Sequence, residues 1–387
     1  MKKPRVLISG AGIAGPVLAL CLQRCGFSST VVERAPALRE GGQAVDFRGP
    51  VHRSVLDRLE LWEPIHAERT HASALVLLDQ SGRPCATLPE VMMAGDVEIL
   101  RGDLCRILYE RTRQATDYRF GDRITRLTQQ GEGVAVEFEH GTPATFDLVV
   151  GADGLHSGVR ALAFADQARR LRHHGYRIAT FAIPKWREAV VYSVPGRAIC
   201  IIPSSSEQAR ALLVYAAPPL EGERSDLEAQ KQALHQTFAG VGWEVPRVLD
   251  GLDRATDLYV DAIATVHIEH YAKGRVVLLG DAAYGGTLGG QGTSLAVVGA
   301  YVLAGELAQG GDPAAAFQRY EAVMRPYATQ CQKGAMRVGS FFAPRTSAGL
   351  WLRNHFYGLL TSPRMLGLFE RMVKHAAANL TLPEYSY

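Results

Sequence analysis

The first thirty-odd residues constrain this chain most. Arg5–Ser9 is a short β-rich apolar run, the pattern of a buried parallel strand. Gly10-Ala-Gly12-Ile-Ala14-Gly15 follows, then Pro16–Arg24 with a helical apolar rhythm, then Ser29–Glu33 as a second strand. That order is a βαβ unit. Gly10 permits the tight turn, Gly12 lets a pyrophosphate approach the backbone, and Gly15 lets helix and strand pack closely. Free N–H groups at the helix start receive phosphate charge there. Glu33 stands 18 residues past Gly15, where a carboxylate accepts ribose hydroxyls and repels a 2′-phosphate. Ala14 and Arg34 flank these groups and join the candidate nucleotide-binding set. FAD and NAD both satisfy the pattern.

The rest of the chain separates the two. A plain NAD dehydrogenase continues with alternating parallel strands and helices, whereas this sequence turns to antiparallel patterns. Residues 53–67 read as one helix, Ala74–Leu78 as a strand and Arg101–Arg113 as a helix. Tyr118–Phe120, Ile124–Gln129, Val134–His140 and Thr145–Val150 read as a small meander. Beyond residue 172, Tyr176–Ile183, Val190–Val194, Ala198–Ile202, Ala211–Ala217 and Tyr259–His267 read as antiparallel strands, with an amphipathic helix at Leu227–Phe238. Arg275–Leu279 is another buried-strand pattern and Thr293–Leu307 a long apolar helix, and residues 314–380 are mostly helical. The expected domains are therefore interleaved. A cofactor-binding domain takes 1–71, 97–171 and 268–320, a substrate domain takes 72–96 and 172–267, and 321–387 bridge them and close the site.

Composition excludes other classes. The 42 basic and 39 acidic side chains leave a net charge of +3, too little to point to nucleic acid or an anionic membrane as the main partner. The six cysteines form no CxxC pair, so a zinc site is not expected. The apolar run Val6–Leu22 is broken by three glycines and a proline, and no membrane segment is read. The expectation is a reduced, cytoplasmic chain.

Two further segments name the cofactor. Gly151-Ala-Asp153-Gly154 follows one strand and runs through Ser157 to Arg160; Gly280-Asp281-Ala-Ala283 follows another and leads into Gly285-Gly286 and Gly289-Gly290-Gln291-Gly292. An Asp just past a strand end can accept hydrogen bonds from a ribityl chain, and glycines let a flat ring lie against backbone. A helix beginning after Gly292 directs positive dipole at the anionic edge of a reduced flavin.

With Arg101 before Asp103-Leu104, this set resembles the single-component (class A) flavin monooxygenases of the para-hydroxybenzoate hydroxylase type. Gly41–Gly49 with Asp46, Val97–Leu104, Gly292–Leu307 and the closing Leu380–Tyr385 look like the tetracycline destructases and related antibiotic-tailoring hydroxylases. The resemblance implies an α/β fold: an FAD-binding Rossmann-like domain, an interleaved antiparallel-sheet substrate domain and a C-terminal helical segment. It implies that Glu33 holds the adenosine ribose, Arg101 contacts FAD near its pyrophosphate and ribityl chain, and Asp46 lies near the flavin. Asp281 takes the ribityl or pyrophosphate region, and Asp153-Gly154 serve both FAD and the nicotinamide nucleotide. Arg39 matches an arginine linked in the family to NADPH, a solvated surface charge being its other reading.

The implied chemistry is flavin reduction by NADPH or NADH, then reaction with O2 to a C4a-hydroperoxide that hydroxylates an electron-rich ring or enol. No metal and no protein nucleophile are expected, and the chain is expected to be a monomer. The substrate class is a polycyclic aromatic or polyketide molecule, with tetracycline inactivation favoured. A biosynthetic aromatic polyketide hydroxylase, or a non-catalytic protein holding FAD or a ligand, are the alternatives. A flavin-dependent halogenase would need a Trp-x-Trp-x-Ile-Pro segment, and the four tryptophans are scattered. Tyr176, Phe181, Tyr192 and Tyr215 are candidates for lining the substrate pocket, with core packing as the other reading. A helix over Trp351–Glu370 could close the site. Tyr284-Gly-Gly-Thr-Leu288 lacks the proline frequent in the family, and Tyr284 stands where histidine is frequent; the extra glycines cost backbone entropy on ordering and leave open how rigidly the loop holds the flavin ring, which it is expected to face.

Overall fold

The computed structural model describes residues 4–38, 42–70, 74–90, 95–164, 171–204, 207–218, 226–286, 292–367 and 381–385. A six-stranded sheet runs in the order Ala272–Lys273, Val276–Leu278, Leu148–Gly151, Arg5–Ser9, Ser28–Glu33, Thr116–Phe120. All pairings are parallel except that of the edge strand Ala272–Lys273. Val6, Leu7 and Ile8 are fully buried, as expected of a strand covered on both faces. The Ala14–Arg24 helix packs against the Gly292–Ala308 helix, which is buried from Ser294 to Leu307. A helix apolar all round belongs in a core. No helix among the described residues is long and apolar enough to cross a membrane.

The expected meander loses its first strand. Thr116–Phe120 pairs parallel to Ser28–Glu33, and only Ile124–Gln130, Gly133–Phe138 and Ala144–Phe146 form the separate three-stranded sheet. The single strand expected over Thr145–Val150 breaks at Asp147, whose carboxylate accepts the Arg5 N–H (2.6 Å) while its own N–H donates to the Arg5 carbonyl (2.9 Å). That exchange passes the chain from one sheet to the other. The helix expected over 53–67 is two helices, Pro50–Arg58 and Trp62–Ala67. Arg24 binds the carbonyls of Arg58 (2.7 Å) and Leu59 (3.2 Å), and Glu60 turns left-handed with φ 57°. A guanidinium on the last carbonyls ends the helix.

The second large sheet has seven strands, ordered Tyr259–Val266, Leu171–Pro184, Gln208–Ala216, Arg197–Pro203, Val190–Val194, Leu75–Leu78, Pro84–Leu88. One face is covered by Leu227–Phe238 and by Val245–Arg254, a helix the sequence reading did not anticipate. The other meets the end of the long Pro313–Phe342 helix and the Ser347–Leu360 helix that follows it. Ala44–Phe47 and Val97–Leu100 pair as a two-stranded ribbon.

One buried pair links the Pro50–Arg58 helix to the long helix. His52 accepts the Arg48 N–H at Nδ1 (3.0 Å), so its neutral ring carries the proton on Nε2 and donates to the Tyr327 hydroxyl (2.6 Å). Burial lowers its pKa to about 4. The unfolded chain, with an ordinary histidine near 6.5, binds the proton first as pH falls, so stability declines from about pH 6.5 to 4 and then levels. The loss is about 3 kcal/mol at most. His52→Gln keeps an acceptor and a donor without titrating. Urea midpoints of the two proteins should therefore converge as pH drops through that window.

Candidate functional site

The glycine loop is built against its neighbour. Gly10 has φ 107° and its N–H donates to the Val32 carbonyl (2.8 Å); a Cβ there would lie 2.5 Å from the Ala152 carbonyl oxygen. A Cβ on Gly15 would lie 2.0 Å from the Gly10 oxygen. Gly12 differs: a Cβ there would meet only a terminal guanidinium nitrogen of Arg101, at 3.7 Å. Space above Gly12, bounded by a cation, is what a diphosphate requires. The Ala14–Arg24 helix starts at Ile13, which has no side-chain group to cap its first-turn N–H groups.

Four acids define the remaining outline. Glu33, at the end of its strand, accepts the N–H groups of Ala11 and Ala35 (both 2.8 Å), and each oxygen keeps a lone pair for a further donor. Asp153 accepts Ser9 Oγ (3.3 Å) and Val159 N–H (3.1 Å) on Oδ2, while its Oδ1 is buried without a partner among the described residues. Burial raises its carboxyl above the usual range. An orphaned buried carboxylate oxygen is costly, and a ligand donor would relieve it.

Asp281 opens the turn after Val276–Leu278, following Gly280 with φ 62°. It is exposed by area yet surrounded by protein, as a group in the wall of a cleft should be. That crowding raises its pKa and Arg101 opposes the rise, so the two side chains share the cleft. A Cβ on Gly292 would lie 3.6 Å from Asp281 Oδ1, placing the start of the Gly292–Ala308 helix beside it. Asp46 borders the same helix, its carbonyl accepting Ser294 Oγ (3.0 Å), but its carboxylate is engaged by Arg48 (3.2 Å). Burial raises the Asp46 carboxyl and Arg48 opposes the rise.

The structure thus brings Gly10, Gly12, Ala14, Gly15, Glu33, Arg101, Asp153, Asp281 and Gly292 to one cleft, with Gly154 (φ 80°) in the same turn as Asp153. Arg34 is exposed beyond Glu33. Arg39, Gly290, Gln291 and Leu380 lie outside the described residues.

The expected substrate-facing aromatics need correction. His156, from the Gly151–Arg160 segment, bonds Asp261 (2.9 Å), so the cofactor loops face the side of the sheet that bears Asp261 and its register partner Ile178. Phe181, Tyr192 and Tyr215 lie on the opposite side, in a core cluster with Leu234, Phe238 and Val248 of the covering helices. Tyr192 stacks on Trp243 (5.0 Å) and donates to the Gln80 carbonyl (3.2 Å). Tyr176 is on the Asp261 side but lies beneath the long helix, where a Cβ on Gly339 would come within 2.5 Å of its ring.

Sequence reasoning missed the His156–Asp261–Tyr259 network. Asp261 is fully enclosed and accepts His156, the Tyr259 hydroxyl (2.5 Å) and the Ala262 N–H (2.8 Å). Burial alone would raise its pKa, but these hydrogen bonds win and hold it below the usual range. The only signal in the sequence was a histidine two residues past Gly154.

The structure also places Tyr284. It points into the core, bonded to Tyr320 (3.3 Å) and to the Leu295 carbonyl (3.4 Å), in a socket left by Gly299. The loop start is firmly held through Gly286. Gln332 donates to the Tyr284 and Gly285 carbonyls (3.0 and 3.4 Å), Val266 N–H to Gly285 (2.9 Å), and Gly286 bridges Thr265.

Residues 3–335 match the FAD binding domain family, and the chain belongs to it. It is 33% identical to a flavin-dependent monooxygenase of Legionella longbeachae over 99% of both chains. The solved tetracycline destructase Tet(55) superposes with a TM-score of 0.82 at 34% identity, covering 99% of each chain. Klebsiella pneumoniae HpxO, solved with FAD and uric acid, shares the fold (TM-score 0.76, 21% identity, 96% of each chain). The chain is an FAD-dependent monooxygenase of class A, with the α/β fold and helical C-terminal segment of that class.

Proposed function

We propose that this monooxygenase consumes NADPH or NADH and hydroxylates a polycyclic aromatic or polyketide substrate, with tetracycline as the favoured one. The observation carrying this reading is the full-length similarity to Tet(55), which extends past the cofactor domain through the seven-stranded sheet and the helices laid on it. FAD, when bound, supplies the redox chemistry, passing electrons from the nicotinamide to oxygen.

The chain's own residues supply placement and charge. Glu33 takes the adenosine ribose, the uncapped helix start behind Gly12 and the Arg101 guanidinium take the diphosphate, and Asp153 and Asp281 take ribityl hydroxyls. The start of the Gly292–Ala308 helix directs its dipole at the cleft, favouring negative charge there. The seven-stranded sheet meets the cofactor loops through Asp261, which holds His156 of the Gly151–Arg160 segment.

Incubation with tetracycline, NADPH and oxygen, followed by mass spectrometry, tests the substrate. The expected product carries one added oxygen atom. Unaltered drug removes tetracycline and leaves a biosynthetic polyketide hydroxylase as the reading to pursue.

A further inference from the structure

The segment Thr381–Tyr385 is docked on the far end of the helix whose start faces the cofactor. The Tyr385 ring lies directly on Gly305, where a Cβ would fall 2.3 Å from it. Its hydroxyl donates to Glu306 Oε1 (2.7 Å), and Arg319 holds the other Glu306 oxygen (2.6 Å). Tyr301 packs against Tyr385 (5.3 Å between ring centres) and donates to the Pro383 carbonyl (3.4 Å). Arg58 ties the arrangement together, reaching the Tyr301 hydroxyl (3.3 Å) and the Glu384 carboxylate (3.2 Å). Leu382 and Tyr385 both pack on the core of the six-stranded sheet.

These contacts explain two oddities of an otherwise apolar helix. Glu306 is a carboxylate almost wholly buried, and it persists because a phenol and a guanidinium satisfy both oxygens. Gly305 weakens a helix interior, and it persists because only a missing side chain admits the ring. The socket is therefore built for Tyr385. The opposite end of the same helix holds the Asp46 carbonyl through Ser294 and sets Gly292 beside Asp281. A rod of seventeen residues packed on all sides transmits its placement from one end to the other.

We propose that Thr381–Tyr385 is a clasp that sets the position of the Gly292–Ala308 helix, making Tyr385 a positioning residue for FAD although it does not touch the cofactor cleft. The test uses full-length Tyr385→Ala, Tyr385→Phe and Gly305→Leu. The last fills the socket and displaces the ring without altering the tyrosine. The readouts are the FAD dissociation constant from flavin fluorescence, the visible band shape of bound flavin, and far-ultraviolet circular dichroism of the apoprotein.

Tyr385→Ala and Gly305→Leu should each weaken FAD binding roughly tenfold and alter the flavin band, with the circular dichroism unchanged. Tyr385→Phe, which keeps the ring and loses only the hydroxyl, should weaken it less. If Tyr385→Ala fails to fold, Gly305→Leu and Tyr385→Phe decide. FAD affinity and band shape equal to wild type in the folded variants overturn the proposal and leave a purely structural contact. No substrate enters this test, so its outcome is independent of whether tetracycline is hydroxylated.

Discussion

Asp281→Ala should purify colourless or weakly yellow, with apoprotein as stable as wild type. Among the described residues the Asp281 side chain makes no hydrogen bond or ion pair, and the one cation set against it is Arg101. Its side chain is exposed by area in the cleft wall, the crowding protein raises its pKa, and Arg101 opposes the rise. It is a carboxylate placed for a ligand. A hydrogen bond to a charged group contributes about 1.5–3 kcal/mol, so the variant should bind FAD about ten- to a hundredfold more weakly. The flavin-to-protein ratio after purification reads this directly. Full occupancy in a folded variant would count against the role assigned to Asp281.

Gly10 and Gly12 should fail in different ways. Gly10→Val forces a side chain onto a φ of 107° and drives Cβ to within 2.5 Å of the Ala152 oxygen, a backbone atom that cannot swing aside. The strain and overlap cost on the order of 3 kcal/mol or more, a large share of the stability of a typical domain. The expected result is insoluble protein or a melting temperature lowered by many degrees. Gly12→Val meets only the movable tip of Arg101 and should fold like wild type. Its side chain then occupies the space where the diphosphate must approach, and FAD binding should fall more than a hundredfold. Thermal melts of both apoproteins beside FAD titrations check the contrast. Equal melting temperatures, or retained FAD binding in Gly12→Val, would show that the loop is not used as described.

Much of this site was legible because each part of it is short-range chemistry. Gly10, Gly12 and Gly15, Glu33 and the Asp153 and Asp281 turns each sit at the end of a buried strand, and the strand pattern fixes where they fall. What could not be read was long-range pairing. Thr116–Phe120 looks like any meander strand, and only the tertiary fold sets it parallel to Ser28–Glu33. Nor could the faces of the second sheet be told apart, because both are apolar. Phe181 and Tyr215 share one side with the covering helices, while Ile178 and Val214 on the other side are equally buried. Alternation gives two sets of residues without saying which set meets the cofactor. The Glu60 turn was illegible for another reason. It depends on Arg24, thirty-four residues upstream of the carbonyl it caps.

The most direct test of the account is a crystal structure of the protein grown with FAD. The account predicts the adenosine ribose hydroxyls on the Glu33 carboxylate, the diphosphate over Gly12 beside Arg101, and a ribityl donor on the orphaned Oδ1 of Asp153 or on Asp281. Flavin density elsewhere, with Asp153 Oδ1 still unpartnered and no phosphate at the first-helix start, would contradict it.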